Sequence, residues 1–272
     1  MQRIKEIVTR MMPKSVPTGT TQHPTIYPDD CFLVSYPKSG NTWMRFLLAQ
    51  LLYEAGGGKD HDLIDFHNYS KYVPEYELHS RDYFAMPRPH IIKSHSPYNP
   101  DFPRVVYLVR DPRDVYVSYY HYMLKRLPEG TSFHTFLRMD SLDYGQWHEH
   151  VAGWIDKPNV MVIRYEDMLR DTAVELKRCI DFWGGLTFSD SQIQRAVELS
   201  RFDRMKQIEQ QRGLPFRNPV QKAKSTTFMR KGRSGDWVNY FDEADLAYLI
   251  SRCGRLMARL GYSDTYTCAK AG

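Results

Sequence analysis

Long apolar stretches and closely spaced cysteines are both missing from this sequence of 272 residues. No stretch is apolar for long enough to span a membrane, and the first fifteen residues lack the continuous apolar centre of a signal peptide. The four cysteines have no CxxC spacing, so neither a zinc site nor a disulfide framework is indicated; they are Cys31, Cys179, Cys253 and Cys268. We therefore expect a cytoplasmic protein without a membrane span.

The sequence also has only a small excess of positive over negative charge. The 37 basic and 32 acidic residues leave a formal net charge of +5 and a pI near 8.9. This mild excess suits an anionic ligand in one cleft better than a long nucleic-acid track, and we expect no nucleic-acid partner. The length and the hydrophobic content of 42% predict one large domain over 1–272, with a proline-containing irregular lead-in at 1–28.

The order of apolar segments predicts an α/β fold. Short β-branched runs without alternation predict buried parallel strands at 31–36, 90–93, 105–109 and 160–164. Helical patterns lie between and after them, at 43–53, 112–126, 133–139, 146–155, 171–182, 190–199 and 242–260. Repeated strand-then-helix order predicts a three-layer P-loop-like fold, in which a central parallel sheet is flanked by helices.

The stretch VSYPKSGNTWMRFLL, at 34–48, has the outline of a phosphate-binding loop between a strand and a helix. Its lysine, Lys38, precedes Gly40, whereas the lysine of a Walker A loop follows the last glycine and stands before a magnesium-binding Ser or Thr. Backbone N–H groups at Ser39 to Thr42 would face an anion, with Lys38 at the mouth of the loop. An ordinary βα turn with a surface lysine is the alternative.

Three further segments carry candidate ligands for an anion. Arg110 ends the third strand and Ser118 lies two turns into the next helix, although pairing of Arg110 and Arg113 with Asp111 and Asp114 is the alternative. Lys93 and His95 end the second strand and would supply a cation and a general base, although a solvated or capping histidine is the alternative. Because ligands of parallel sheets bind beyond the carboxyl ends of the strands, these groups and Lys38 are expected to converge.

The last candidate is FMRKGRSGDW at 228–237, which has three cations within four residues and two glycines that free the backbone. Such a segment can wrap a phosphate group, and a solvated basic loop is the alternative.

Together, in this order, these segments resemble the sulfotransferases that use 3′-phosphoadenosine 5′-phosphosulfate (PAPS), especially the soluble cytosolic type. YPKSGNTW resembles the 5′-phosphosulfate loop of that family, VRDPRDVYVSYY its 3′-phosphate motif and FMRKGRSGDW its RKGxxGDW signature. KSH and IRYEDM are similar to two further family segments. The resemblance extends from about residue 28 to about residue 241.

The resemblance implies specific roles. Lys38 would assist the departing phosphate, Lys93 would stabilise the transferring sulfuryl oxygens, and His95 would take the acceptor proton. The nucleotide would be bound by Lys38, Ser39, Gly40, Asn41, Thr42, Trp43, Arg110, Ser118, Tyr165, Ser200, Phe202, Phe228, Met229, Arg230, Lys231 and Gly232. Departures from the family pattern are Asn41 in place of Thr, Arg201 after Ser200, and no Lys-Thr-Val dimer motif, so the oligomeric state stays open.

Sulfuryl transfer needs in-line positioning and stabilisation of charge on peripheral and leaving oxygens, which lysines can provide without a metal. We therefore expect PAPS as the donor and no metal site. Aromatic residues in 59–89, 119–144 and near Trp147 favour a phenolic or other small-molecule alcohol as acceptor, possible natural products included. The alternatives are a carbohydrate or glycolipid acceptor, a P-loop kinase, and a nucleotide-binding module without catalysis.

Overall fold

A computed structural model describes residues 25–58, 64–78, 88–124, 126–140, 142–215 and 228–263. The strands are β1 (Cys31–Ser35), β2 (Ile91–Ser94), β3 (Arg104–Val109) and β4 (Val160–Arg164). The helices within these ranges are α1 (Asn41–Ala55), α2 (Pro112–Met123), α3 (Phe133–Leu137), α4 (Trp147–Trp154), α5 (Tyr165–Arg170), α6 (Thr172–Trp183), α7 (Asp190–Leu199), α8 (Phe202–Arg212) and α9 (Glu243–Arg259). Two short 3₁₀ helices cover Tyr69–Lys71 and Asp236–Asn239.

The four strands form one parallel sheet in the order β2-β1-β3-β4. The register pairs Val34 with Ser94 and Ser35 with Leu108, so the carboxyl ends of β1, β2 and β3 reach the same edge. This arrangement confirms the predicted α/β fold with a central parallel sheet. It also places the loops that follow these three strands side by side.

Helices cover both faces of the sheet, which explains why the strands are apolar without alternation. On one face, Phe32 and Tyr107 pack in a core with side chains of α2, α3, α4 and α9. On the other face, Leu33 and Leu108 pack with side chains of α1, α6 and α7. A smaller cluster that includes Phe46 and Met205 joins the outer side of α1 to α8.

The predicted helices exist with shifted ends, and two helices were not predicted. The sequence pattern extended the helix after β3 to residue 126, whereas α2 ends at Met123. The short α5 and the helix α8 went unpredicted. Much of α8 is polar, with buried positions only at Met205 and Glu209, so its amphipathic pattern is weak.

Within the described ranges, no helix is long and apolar enough to cross a membrane. Cys31, Cys179 and Cys253 are buried and unpaired, which agrees with the absence of a disulfide pattern among those three residues. Cys268 lies outside the described residues.

Candidate active site

The loop between β1 and α1 has a backbone shape that few sequences allow. Lys38 has φ of 70° and Gly40 has φ of 99°, both in the left-handed region. A side chain on Gly40 would meet the ring of Tyr165, because a Cβ there would lie 2.6 Å from Cδ2. The loop therefore needs glycine at position 40, both for the φ angle and for the close contact with Tyr165. The first N–H groups of α1, which follow this glycine, have no hydrogen-bond partner within the helix.

Side chains in this loop have unused hydrogen-bonding capacity. The Ser39 hydroxyl and the Asn41 Oδ1 atom are buried without a hydrogen-bond partner among the described residues. Asn41 also donates from Nδ2 to the Ser35 hydroxyl at 3.1 Å, which ties the start of α1 to the end of β1. Polar groups that are buried but unpaired cost free energy, so their presence here indicates a place for a polar ligand.

The Lys38 ammonium lies between two aromatic rings. Its Nζ atom is 4.4 Å from the ring centroid of Phe228 and 4.8 Å from that of Tyr122. Burial, together with the nearby charges of Arg110 and Arg230, lowers the pKa of Lys38 to about 8. A desolvated cation of this kind interacts strongly with an anion that enters the site.

Arg110 connects the loops at the sheet edge. Its guanidinium donates to the Lys38 carbonyl oxygen at 3.2 Å and to the Arg233 carbonyl oxygen at 3.1 Å, while its Nε is buried without a partner in the described part of the chain. It also stacks 4.4 Å from the ring centroid of Tyr165. The free Nε–H and the positive charge leave Arg110 able to bind a phosphate.

The acidic residues beside Arg110 have separate tasks. Asp111 caps α2 by accepting from the Arg113 N–H and pairs with the Arg113 guanidinium at 2.6 Å. The alternative of local ion pairing is thus confirmed for Arg113. Arg110 also forms an ion pair with Asp114, although the distance of 3.9 Å is long. Ser118 lies partly exposed on α2, two turns into the helix.

Two carboxylates on other elements hold the basic segment 228–237 in place. Glu209 on α8 accepts from the backbone N–H groups of Phe228 and Met229, at 2.5 and 2.8 Å. Asp114 on α2 accepts from the N–H groups of Gly235 and Trp237, at 2.7 and 3.1 Å. The segment is therefore anchored at both ends against the loops of the sheet.

Within that segment, the two cations share one carboxylate. Asp236 accepts from Arg230 at 2.6 Å and from Lys231 at 2.5 Å. Burial of Asp236 opposes its ionisation, but the hydrogen bonds from Lys231 and Arg230 outweigh that effect and lower its pKa to about 2. Both cations are thus oriented in advance at the edge of the site.

Aromatic rings lie next to Arg110 in the site. The rings of Trp43 and Tyr165 meet edge to face with centroids 5.8 Å apart. Gly232, with φ of 62°, lies against the ring of Phe202, so a side chain at Gly232 would collide with that ring. The buried hydroxyl of Ser200 has no hydrogen-bond partner among the described residues. This combination of rings and a free hydroxyl fits a purine base.

His95 lies at the end of β2 with one ring nitrogen already engaged. Its Nδ1 atom is 2.6 Å from the Ser35 carbonyl oxygen, which can only accept, so Nδ1 carries the proton in the neutral ring. Nε2 then has the lone pair that a general base requires. Burial, with a further contribution from Lys93, holds the pKa of His95 well below its usual range and keeps the ring neutral at physiological pH.

Lys93 is buried in an ion-pair chain. Its Nζ atom is 3.3 Å from Glu75, which also accepts from Arg45 at 2.9 Å. Burial opposes ionisation of Glu75, but Lys93 and Arg45 together lower its pKa to about 2. Burial lowers the pKa of Lys93, and Glu75 counters that effect. The predicted cation beside His95 is therefore present, with a carboxylate partner that sequence reasoning did not identify.

Other residues that sequence reasoning missed also hold the site together. Asp236 belongs to the quoted GDW signature, whereas Glu75 and Glu77 lie in a segment without periodicity and Glu209 lies on the unpredicted α8. The partners of Glu75, Glu77 and Glu209 are distant in sequence, so no local signal marks these three carboxylates.

The aromatic lining expected for the acceptor is partly wrong. Trp147 is fully buried in the core, and Phe133 is nearly so. Tyr122 is exposed near Lys38, and the Tyr144 ring lies edge to face against His95 with centroids 5.4 Å apart. Tyr83 and Phe84 lie outside the described residues.

Cations and unpaired polar groups thus meet at the carboxyl edge of a parallel sheet, beside aromatic rings and a neutral histidine. The fold and this site define a nucleotide-binding α/β transferase in which the nucleotide carries more than one anionic group.

Comparison with known proteins specifies that class further. The sulfotransferase domain family matches residues 28–261. Sulfotransferase 1E1 of Bos taurus is 31% identical over 235 residues, which cover 80% of this chain and 79% of the relative. Sulfotransferase 6B1 of Danio rerio is 30% identical over 261 residues, which cover 88% and 83%. The chain belongs to the sulfotransferase family.

Solved structures agree with this assignment. Mouse sulfotransferase SULT7A1, solved in complex with PAP, aligns with a TM-score of 0.62 at 25% identity, over 86% of this chain and 85% of the other. A retinol dehydratase solved with androsterone and the inactive cofactor PAP aligns with a TM-score of 0.63 at 25% identity, over 86% and 82%.

Proposed function

We propose that this sulfotransferase moves the sulfuryl group of PAPS to a hydroxyl of a small-molecule acceptor, with His95 as the general base. One observation carries the proposal. The lone pair of His95 Nε2 and the desolvated ammonium of Lys38 belong to loops that follow adjacent strands, β2 and β1. In-line transfer needs a base on the acceptor side and a cation on the leaving-group side.

PAPS is the donor and supplies an activated sulfuryl group on a 5′-phosphate, together with a 3′-phosphate that serves for recognition. The residues present fit such a ligand, because the Ser39 hydroxyl, the Ser200 hydroxyl and Arg110 Nε are buried donors without partners among the described residues. Two relatives solved with PAP have the same fold. Burial of these donors without a ligand would be costly.

Each end of the nucleotide would have its own set of residues. Lys38, Ser39, Gly40, Asn41 and Thr42 would bind the 5′ end, where the helix dipole of α1 adds to the field. Arg110, Ser118, Arg230, Lys231 and Gly232 would bind the 3′-phosphate. Phe228 and Met229, whose N–H groups are held by Glu209, would line the nucleotide site next to them. Trp43, Tyr165, Ser200 and Phe202 would hold the adenine.

During transfer the protein would stabilise charge at two positions. Lys38 would stabilise the negative charge that develops on the leaving phosphate, while Lys93 would do so for the peripheral sulfuryl oxygens. His95 would remove the acceptor proton at Nε2, since Nδ1 donates to the Ser35 carbonyl oxygen. These functions need no metal ion.

The acceptor would be a phenol or another planar alcohol, because the ring of Tyr122 lies next to Lys38 and the ring of Tyr144 lies next to His95. Two solved structures of retinol dehydratase contain androsterone and retinol, respectively. A carbohydrate or glycolipid acceptor is the second candidate, because aromatic rings also stack on sugars.

The test is turnover of purified protein with PAPS and a panel of phenols, alcohols and sugars, followed by mass spectrometry. We expect formation of PAP and a sulfated product, with transfer unchanged by EDTA, whereas kinase chemistry would stop. His95→Ala should lower turnover to a small residual rate while PAP affinity stays intact. PAPS binding without turnover on any acceptor of the panel would refute the proposed acceptor class.

We further propose that one catalytic domain acts in the cytoplasm without a nucleic-acid partner. The unpaired buried thiols of Cys31, Cys179 and Cys253 suit a reducing compartment, and a relative from Danio rerio is named cytosolic sulfotransferase 1.

A further inference from the structure

We propose that Glu77 and His150 are positioning residues that fix His95 through its backbone, at the N–H on one side of its Cα and at the carbonyl oxygen on the other. Glu77 accepts the backbone N–H of His95, and His150 donates to the backbone carbonyl oxygen of the same residue. The inference rests on the proposed function, because it concerns the aim of the general base.

Glu77 gathers the donors of the turn after β2 on one oxygen atom. Its Oε1 accepts from the His95 N–H at 2.9 Å, from the Ser94 hydroxyl at 2.5 Å, and from the Ser96 hydroxyl and N–H at 2.9 and 3.2 Å. Hydrogen bonds to a carboxylate are stronger than those between neutral groups. One carboxylate therefore determines the path of the three residues that contain the base.

The segment that carries Glu77 is itself attached to β2. The Lys93 N–H donates to the Pro74 carbonyl oxygen at 2.8 Å, and the Tyr76 N–H donates to the Lys93 carbonyl oxygen at 2.9 Å. Glu77 is thus held next to the turn by backbone pairing. Its position does not depend on a long flexible side chain alone.

His150, on α4, holds the backbone carbonyl group of His95. Its Nε2 atom lies 2.9 Å from the His95 carbonyl oxygen, and its Nδ1 atom lies 2.8 Å from the Tyr107 hydroxyl. Since a carbonyl oxygen only accepts, Nε2 carries the proton and Nδ1 accepts from Tyr107. His150 is buried, and burial lowers its pKa, so this neutral tautomer persists across physiological pH.

Three independent elements thus hold His95. The ring contacts the end of β1 at Ser35, the N–H contacts the segment before β2 at Glu77, and the carbonyl contacts α4 at His150. Since Nδ1 carries the proton, Nε2 is the ring nitrogen that has the lone pair for the acceptor. Because a displacement of about 1 Å can cost about 100-fold in rate, these contacts would control kcat without touching either substrate.

The experiment compares variants of both residues with a neighbour on the same helix. Glu77→Ala and His150→Phe remove the contacts, Glu77→Gln retains an accepting oxygen, and His148→Phe is the matched control on α4. We expect Glu77→Ala and His150→Phe to lower kcat by about 10-fold to 100-fold. The Kd for PAP and the KM for PAPS should stay within about twofold, and Glu77→Gln should recover most of kcat.

A purely structural role predicts other results. If His150→Phe or Glu77→Ala lowers kcat no more than His148→Phe, or weakens PAP binding by the same factor as kcat, the inference is overturned. Should Glu77→Ala fail to fold, Glu77→Asp decides, since it keeps the carboxylate but withdraws it from the turn. A kcat of Glu77→Asp equal to that of the parent would then refute the inference.

A double variant separates this inference from the proposed function. In the His95→Ala background, Glu77→Asp should have no further effect on the residual rate, because the base that it aims is already gone. Full activity of His95→Ala would refute the proposed base itself. An inactive His95→Ala beside fully active Glu77 and His150 variants would refute the positioning inference alone.

Discussion

Gly40 and Tyr165 lie so close together that a Cβ on Gly40 would be 2.6 Å from Cδ2 of the tyrosine ring. Gly40 directly precedes α1 and Tyr165 begins α5, so this contact joins the phosphate-binding loop to the aromatic side of the site. It explains the glycine in the quoted stretch more fully than its backbone freedom alone does.

Gly40→Ala should therefore destabilise the protein and weaken PAP binding. Left-handed backbone costs about 1–2 kcal/mol for a residue with a Cβ, and displacement of the Tyr165 ring adds to that cost. Gly57→Ala is the matched control, since Gly57 has φ of 85° with nothing within 4 Å of the added Cβ. Thermal unfolding and PAP titration should show a larger loss at Gly40 in both measurements. Equal melting temperatures would contradict the importance of the Tyr165 contact.

Activity should depend on pH through His95 and Lys38, whose pKa values are both lowered. Since His95 acts as a neutral base and its pKa is well below its usual range, kcat/KM should not fall until the pH is below 6.5. Lys38 must be protonated, and its pKa is about 8, so kcat/KM should fall above about pH 8. Bound anion favours the charged lysine, which should move the alkaline limb of kcat to higher pH.

The assignment of the alkaline limb can be checked with Lys38→Arg. Arginine stays protonated to above about pH 12, so that limb should disappear whatever the remaining rate. If the variant retains the same alkaline limb, another group is responsible for it.

Lys38→Met should slow sulfuryl transfer far more than it weakens PAP binding. The methionine side chain keeps the contacts with the rings of Phe228 and Tyr122 but removes the charge that meets the leaving oxygen. Loss of one such electrostatic contact costs about 100-fold to 1,000-fold in kcat. Single-turnover rates and PAP calorimetry give the two numbers, and equal losses in both would make Lys38 a simple anchor.

Lys231→Met should weaken PAP binding by roughly 10-fold, which corresponds to about 1.4 kcal/mol, the lower end of a hydrogen bond to a charged group. Adenosine 5′-phosphosulfate, which lacks the 3′-phosphate, should bind the variant and the parent equally. Arg233→Met is the control in the same segment, because Arg233 is exposed and its backbone rather than its side chain meets Arg110. Equal weakening for both nucleotides would show that Lys231 does not read the 3′-phosphate.

The sequence predicted more of this site than of the elements around it. Local patterns predict the parallel sheet and the alternation of strands and helices along the chain. They also predict that Lys38, His95 and Arg110 lie at strand ends. These patterns are local because apolar runs, capping residues and glycines act on their own backbone. Asp111, for example, caps α2 directly before Pro112, as a helix start requires.

Only the tertiary structure decided which carboxylates hold the site. Glu77 meets the turn after β2, Glu209 meets residues about twenty positions away in the chain, and Asp114 meets Gly235 across more than a hundred. The strength of such a contact depends on the distance between the two groups and on their burial, and both are set only when the chain has folded. Burial of Trp147 in the core likewise depends on the folded chain. The helix α8 went unpredicted because most of its residues are polar, as in a loop, and because only the tertiary structure buries Met205 and Glu209.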